Sequence, residues 1–139
     1  MNRVVFLDTS YAIALSAPAD QFNESAVRVA EQIESDGVSI VTTRAITLEI
    51  GNALSKLRYR RAAMELLNSL EDDPAVEIVP LTEDLYERAR QLYSSRADKE
   101  WGLTDCVSFV VMQERSLNEA LTADEHFRQA GFKALLRES

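Results

Sequence analysis

Residues 3–8 read Arg-Val-Val-Phe-Leu-Asp, and this short stretch decides what kind of fold the chain can adopt. The segment Arg3–Leu7 is mostly apolar and contains two valines, which is typical of a strand that is buried in a parallel sheet. Asp8 follows it directly. Ligands of open α/β sheets bind beyond the carboxyl ends of the strands. The stretch therefore indicates an α/β fold and makes Asp8 a candidate site residue.

Outward from this strand, predicted helices and strands alternate along the chain. Asn23 is expected to cap the second helix, Gly37 to end it, and Thr82 to cap a later one. Further strands are expected over residues 38–42, 76–79, 120–122 and 133–136, and helices over 9–16, 23–35, 44–58, 60–70, 82–95, 103–115 and 124–130. Alternation of this kind predicts a three-layer α/β fold with a mainly parallel sheet. We expect one domain over residues 1–139, because the sequence contains no repeat or linker.

The composition narrows the class of protein. With 46% hydrophobic and 27% charged residues, the 139-residue chain has the make-up of a soluble globular protein. No apolar run approaches the roughly 20 residues that span a bilayer. The amino terminus leads straight into a strand, so we expect no signal peptide. Cys106 is the only cysteine, which excludes an intrachain disulfide and fits a reducing, cytoplasmic location.

Three further acids are candidates for the same site as Asp8, each for a different reason. Asp124 follows the predicted strand over 120–122, and Asp105 lies in the first turn of a helix that is apolar almost all round. Glu49 lies at the edge of an apolar stripe on its helix; the stripe consists of Ile46, Ile50, Ala53, Leu54 and Leu57. Carboxylates that share one crevice repel each other, and Mg²⁺ or Mn²⁺ relieves the repulsion because it prefers oxygen ligands. The four acids are therefore candidate metal ligands and catalytic residues.

Other polar residues near these acids are assigned lesser roles. Asp98 is interpreted as a loop acid and His126, the only histidine, as a surface helix residue. Candidates for support of the site are Thr9, Ser10, Asn52 and Thr104. Candidates for binding the backbone phosphates of a nucleic acid are Lys56, Arg58, Arg60 and Arg61, with Tyr59 among them as a surface on which a base could stack. The net charge of −8 argues against broad coating of nucleic acid, so any contact with nucleic acid needs a local basic group of this kind.

Four segments resemble, in order, the motifs of the PIN-domain nucleases and, within that family, the VapC-type toxins. They are Phe6–Ser10, Thr47–Leu54, Trp101–Phe109 and Leu121–Phe127. The resemblance implies a five-stranded parallel sheet of order 3-2-1-4-5, Mg²⁺ or Mn²⁺, and endonucleolytic cleavage of single-stranded or loop RNA. It also implies metal-site acids at the positions of Asp8, Glu49, Asp105 and Asp124, a cognate antitoxin protein, and a homodimer. One departure is Gly102, where the family commonly has Ser.

Other functions remain open from the sequence. An RNA-processing PIN nuclease with a housekeeping role is one, because fold and site do not reveal biology. A phosphohydrolase with Asp8 as covalent nucleophile is another, but the haloacid-dehalogenase pattern has a second Asp where this chain has Ser10. A receiver-like signalling module would have paired acids after its first strand. A catalytically silent PIN fold that only binds a partner is disfavoured, because all four acids are present.

Overall fold

The computed structural model of the chain describes residues 3–137. Its sheet has five strands, which are β1 (Val4–Leu7), β2 (Ser39–Thr43), β3 (Val76–Val79), β4 (Glu119–Leu121) and β5 (Lys133–Ala134). Neighbouring strands are all parallel, and their order is β3-β2-β1-β4-β5. The predicted α/β class and strand order are thus confirmed.

Within residues 3–137, seven helices connect the strands. They are α1 (Thr9–Ser16), α2 (Asn23–Asp36), α3 (Arg44–Ala53), α4 (Leu57–Asp72), α5 (Glu83–Ser95), α6 (Leu103–Glu114) and α7 (Glu125–Gln129). The Thr82 hydroxyl caps α5 by accepting from the Leu85 N–H at 3.1 Å, as predicted. Gly37 ends α2 with φ of +63°, a left-handed conformation that glycine adopts without strain. None of the helices described here is both long and apolar enough to cross a membrane.

Two predicted helix or strand ends are wrong. Asn23 does not cap α2 but is its first residue, and its side-chain amide donates to the Ala14 carbonyl at 2.7 Å, which joins α1 to α2. The expected last strand over residues 133–136 is shorter. It pairs only over Lys133–Ala134, and a 3₁₀ turn over Leu135–Arg137 follows.

The predicted helix over residues 44–58 is also wrong, because α3 ends at Ala53 and α4 begins at Leu57. Leu54 is buried at this junction, whereas Leu57 is 91% exposed and Ala53 is also exposed. Ala53 and Leu57 therefore do not belong to the buried stripe of α3. Lys56 directly precedes α4 and is therefore not part of the helix that carries Glu49, contrary to the predicted helix over 44–58. No glycine or proline marks the break in the sequence.

β1 is the central strand of the sheet, and Asp8, which follows it directly, lies where the carboxyl ends of the strands meet. Leu7 of β1 pairs with Leu121 of β4, so the segments that follow both strands lie side by side. The Phe109 ring of α6 contacts Trp101 and Phe127 edge-on at centroid distances of 5.0 and 4.9 Å, and Phe127 in turn lies 6.3 Å from the Phe6 ring of β1. Such burial holds the strand ends and the start of α6 together.

Candidate active site

One cleft at the carboxyl ends of β1 and β4 collects the four acids. It has a volume of about 460 Å³ and is lined by Asp8, Thr9, Ser10, Ile13, Glu49, Ala53, Gly102, Leu103, Thr104, Asp105, Asp124 and His126. We call it the acid cleft. Elements that are far apart in the sequence build it, namely the ends of β1 and β4, α3, and the first turn of α6.

Asp8 is the most buried of the acids, with 4% of its surface exposed. Its Oδ2 caps α1 by accepting from the Ser10 N–H at 3.3 Å, and it accepts from the hydroxyls of Ser10 and Thr122 at 2.8 and 2.7 Å. Burial raises the pKa of Asp8 to about 6, the hydroxyl donors oppose this shift, and the charge of Asp105 adds to it. This carboxyl group is therefore costly to ionise where it lies.

Thr122 is a site residue that the sequence reasoning missed. Its buried hydroxyl donates to Asp8 and accepts from the Asp124 N–H at 3.0 Å, so it connects two of the acids. The Ser10 hydroxyl makes a parallel link, because it donates to Asp8 and accepts from the Ala123 N–H at 2.9 Å. The sequence did carry a sign of this role, since Thr122 stands between a buried strand and Asp124.

Glu49 reaches the cleft from α3 and is half-buried. Its Oε1 accepts a hydrogen bond from the buried hydroxyl of Thr9 on α1. Thr9 and Ser10 thus contact the acids that they were expected to support, and Thr104 lines the cleft. Asn52, which was also expected to support the site, is exposed and is not among the residues that line the acid cleft.

The other end of the cleft is built around His126. Its Nδ1 lies 2.9 Å from Oδ2 of Asp105 and 3.5 Å from Oδ1 of Asp124. Asp105 also accepts from the Gly102 N–H at 3.1 Å, so Gly102 is the residue before α6, as expected. Asp124 caps α7 by accepting from the His126 N–H at 2.8 Å. His126 lies on α7 and is partly exposed, as interpreted from the sequence, but its ring also lines the acid cleft beside two acids.

The pKa values at this end reflect the same crowding. Burial raises the pKa of Asp105, the hydrogen bonds from His126 and Gly102 lower it, and the charge of Asp124 raises it further; the net direction is upward. Partial burial lowers the pKa of His126, but the hydrogen bond with Asp105 and the charges of Asp124 and Asp105 outweigh burial and raise it. Carboxylates are thus held together at an electrostatic cost.

The side chains of the acid cleft fit a divalent cation. Asp105, Asp124 and His126 each offer a ligand atom, and these atoms all lie within 4.8 Å of one another. Asp8 and Glu49 line the same cleft. Hard dications prefer carboxylate oxygens, and their charge offsets the repulsion and burial that raise the pKa of Asp8 and Asp105.

The predicted basic residues lie outside the cleft, around the α3–α4 junction. We call Lys56, Arg58, Arg60 and Arg61 the basic junction; all four are exposed. The Arg60 guanidinium donates to the Ser55 carbonyl at 2.9 and 3.1 Å, and that of Arg58 lies 4.9 Å from the Tyr59 ring centroid. The junction follows Ala53, which lines the cleft.

Asp98 also lies outside the acid cleft. It is exposed and pairs with Arg96 at 3.1 Å and Lys99 at 3.6 Å. The ion pair with Arg96 holds the pKa of Asp98 below its usual value. This is the loop acid that the sequence predicted.

Known proteins include relatives that match almost the whole chain. The chain is 26% identical over 129 residues to the 23S rRNA-specific endonuclease VapC20 of Mycobacterium tuberculosis. The matched region covers 93% of this chain and 95% of that relative. The crystal structure of VapC20, described as a sarcin-ricin loop cleaving toxin, superposes with a TM-score of 0.82 over 92% of this chain and 95% of that one.

Two more distant structures share the fold. VapBC2 from Rickettsia felis, bound to a DNA fragment from their promoter, is 12% identical with a TM-score of 0.67, over 94% of this chain and 96% of that one. FitAcB from Neisseria gonorrhoeae is 21% identical with a TM-score of 0.59, over 94% of each chain. The PIN domain pattern itself matches residues 5–133, which include all four acids of the cleft. The chain therefore belongs to the PIN domain family.

Proposed function

We propose that this chain is a metal-dependent endoribonuclease and the toxin of a toxin–antitoxin pair. The observation that carries the proposal is the acid cleft itself, where four carboxylates from separate elements line one cavity. The similarity to VapC20 supports RNA as the substrate, because that relative is named for cleavage of 23S rRNA and covers almost the same length.

The proposed cofactor is Mg²⁺ or Mn²⁺, held by Asp8, Glu49, Asp105 and Asp124. A bound dication supplies an activated water and steadies the leaving oxygen in phosphodiester cleavage. The protein's own part is to position the ligands. Ser10 and Thr122 donate only to Oδ2 of Asp8, so Oδ1 carries none of these hydrogen bonds. Thr9 holds Glu49 in the same manner, and such second contacts fix the direction of a ligand.

The proposed substrate is single-stranded or loop RNA. Its backbone can enter a cleft that a stiff duplex cannot, and its bases can be splayed apart. The basic junction is proposed to guide phosphates toward the acids. Within it, Arg60 already donates to the Ser55 carbonyl, so Lys56 and Arg61 are the better candidates for phosphate contacts. The net charge of −8 disfavours tight binding along a broad face.

The proposed biological setting rests on the similarity to VapC20, which is described as a toxin. We propose a cognate antitoxin that holds the nuclease inactive, a homodimer as the working form, and action in the cytoplasm. Two of the fold relatives are structures of VapBC2 and FitAcB, but at their low identity they support the fold alone. Purification of the chain with the product of the neighbouring reading frame tests the antitoxin directly.

The activity test compares acids inside and outside the cleft. Metal-stripped wild-type protein is mixed with a stem-loop RNA and with the matching duplex, in Mg²⁺, in Mn²⁺ and in EDTA. We expect cleavage in the loop, dependent on metal, that Asp8→Asn abolishes and Asp98→Asn retains. Asp98→Asn is the matched control because Asp98 is exposed and lies outside the cleft.

Three results would contradict the proposal. Cleavage that persists in EDTA excludes the metal mechanism. Cleavage that survives Asp8→Asn and Asp105→Asn together excludes the acid cleft as the active site. Release of phosphate from small phosphomonoesters, with no RNA cleavage, favours the phosphohydrolase with Asp8 as nucleophile.

A further inference from the structure

The proposed function uses four acids but gives no role to the histidine between two of them. His126 is the only histidine of the chain, and 29% of its side chain is exposed. Its Nδ1 faces the carboxylates of Asp105 and Asp124 at 2.9 and 3.5 Å. Two acids and one imidazole therefore converge on one point of the cleft wall.

The placement of His126 differs from that of the charged residues Glu125 and Arg128 on the same helix. Glu125 and Arg128 are exposed and form an ordinary surface ion pair at 3.4 Å. His126 lines the acid cleft instead. Its backbone N–H is fixed by Asp124, so the cap of α7 also sets where the imidazole lies.

The spacing of the three groups matches a coordination shell. Adjacent ligands of an octahedral dication with bonds of about 2.1 Å lie about 3 Å apart. The distances of 2.9 and 3.5 Å from His126 Nδ1 to the two carboxylates are close to this value. A cation seated among these atoms would thus need little movement of the protein, and it would replace the hydrogen bond between His126 and Asp105.

We propose that His126 Nδ1 is a metal ligand which, with Asp105 and Asp124, makes this end of the acid cleft a site for a transition-metal dication, preferring Mn²⁺ to Mg²⁺. The preference follows from ligand type, because imidazole suits transition metals whereas Mg²⁺ favours oxygen ligands and retains its waters. The inference rests on the proposed function only in that it concerns the metal of the same cleft.

Spectroscopy of the wild-type protein tests the ligand directly. Tag-free, metal-stripped protein is loaded with one equivalent of Mn²⁺ and examined by pulsed electron paramagnetic resonance for hyperfine coupling to nitrogen. Protein labelled with ¹⁵N only in histidine must change that coupling, and His126 is the sole source of it because the chain has no other histidine. Absence of a histidine nitrogen coupling in the Mn²⁺-bound protein overturns the proposal.

Calorimetric titration of variants tests the metal preference. His126→Asn keeps a polar group at the position but removes the imidazole, and Arg128→Gln is the control on the exposed side of α7. We expect His126→Asn to weaken Mn²⁺ binding at least about tenfold, the lower end of the range for lost outer-shell partners, and Mg²⁺ binding much less. Arg128→Gln should change neither affinity. No loss contradicts the ligand role, and equal losses for both metals contradict the preference for Mn²⁺.

Failure of this inference and failure of the proposed function give different results. Nitrogen coordination of Mn²⁺ in a protein that cleaves no RNA supports the metal site and contradicts the nuclease. Metal-dependent RNA cleavage with Mn²⁺ bound through oxygen alone supports the nuclease and contradicts the role of His126.

Discussion

The two ends of the acid cleft hold the same kind of residue in opposite ways. At the Asp8 end, a carboxylate that is 4% exposed accepts hydrogen bonds from the backbone and two hydroxyls, which are supplied by α1 and by the residue directly after β4. At the His126 end, Asp105 and Asp124 are 16% and 34% exposed in their side chains and share one imidazole. The first end is fixed by the core of the fold, and the second is open to solvent and ions.

This difference shows how one fold gives similar acids separate tasks. A buried carboxylate held by neutral donors is rigid but costly to ionise. A carboxylate beside an imidazole is partly compensated by it and remains accessible. We expect the Asp8 end to govern stability and ligand direction, and the His126 end to govern which cation is bound.

The largest expected effect is loss of cleavage when either end is removed. Asp8→Asn and Asp105→Asn should each lower the rate of RNA cleavage by at least about 10²–10³-fold, the size of losing one group that stabilises charge in a transition state. Single-turnover kinetics on a loop RNA would measure it. If only one of the two substitutions slows cleavage, the two ends do not act on the same bound metal or substrate.

The free energy of unfolding without metal should show the cost of burying the charged Asp8 carboxylate. The pKa of folded Asp8 is about 6, above its usual 3.8, so the folded state holds this proton more tightly than the unfolded chain. The stability from this group is therefore full below about pH 4 and lost as the pH rises through about 6. In chelator at pH 7.5, Asp8→Asn avoids that loss and should unfold with a free energy higher by up to about 3 kcal/mol.

Denaturant unfolding of both proteins across pH 4 to 8 is the measurement. Asp98→Asn serves as control, since the pKa of that exposed acid is lowered rather than raised. An Asp8→Asn variant that is less stable than the wild type in chelator at every pH would mean that the charged carboxylate is a structural cap rather than a strained site residue.

Removal of the Thr122 hydroxyl should have the next largest effect. Thr122→Val keeps the shape of the side chain but removes the donor to Asp8 and the acceptor for the Asp124 N–H. Metal affinity should fall roughly 10–100-fold, as for other lost supports of a metal ligand, while Thr122→Ser retains most of it. Equal affinities for the Val and Ser variants would show that the hydroxyl is not needed to hold Asp8.

The smallest expected effect concerns the basic junction, which lies beyond both ends. Lys56→Ala should weaken RNA binding a few-fold and reduce the slope of log affinity against log salt by about 0.7, the value for one lost phosphate contact on a single strand. Arg28→Ala removes the same charge from exposed α2, outside the acid cleft, and should leave the slope unchanged. Equal slopes for both variants would mean that Lys56 contacts no phosphate.

The sequence allowed the sheet and its acids to be predicted because their pattern is local. Asp8 and Asp124 each follow a short apolar strand, and Asp105 lies in the first turn of an apolar helix. Acids are rare next to such buried segments, so these three residues can be recognised from the sequence. The strand order was supplied by the resemblance to the PIN family rather than by periodicity. Glu49 had a weaker local mark, its place at the edge of an apolar stripe, and the resemblance was needed to single it out.

Side-chain direction was what the sequence could not give. His126 belongs to a helix of five residues, too short for a periodic pattern, and its ring position is set by the cap that Asp124 makes. Lys56 and Leu57 were placed on a continuous helix because no residue type marks the break after Ala53. Thr122 was overlooked because its role depends on β1, a strand that lies next to β4 only in the folded chain.

The hydrogen bond between Thr122 and Asp8 also has a consequence in time. It joins residues 114 positions apart, and ribosomes synthesise chains at roughly 5–20 residues per second, so the two partners emerge roughly 6–23 seconds apart. During that interval β1 lacks its neighbour β4, and Asp8 stands without Thr122 and Asp124. The acid cleft is therefore absent for most of translation. A cell making this protein therefore meets the proposed nuclease only when synthesis is nearly finished.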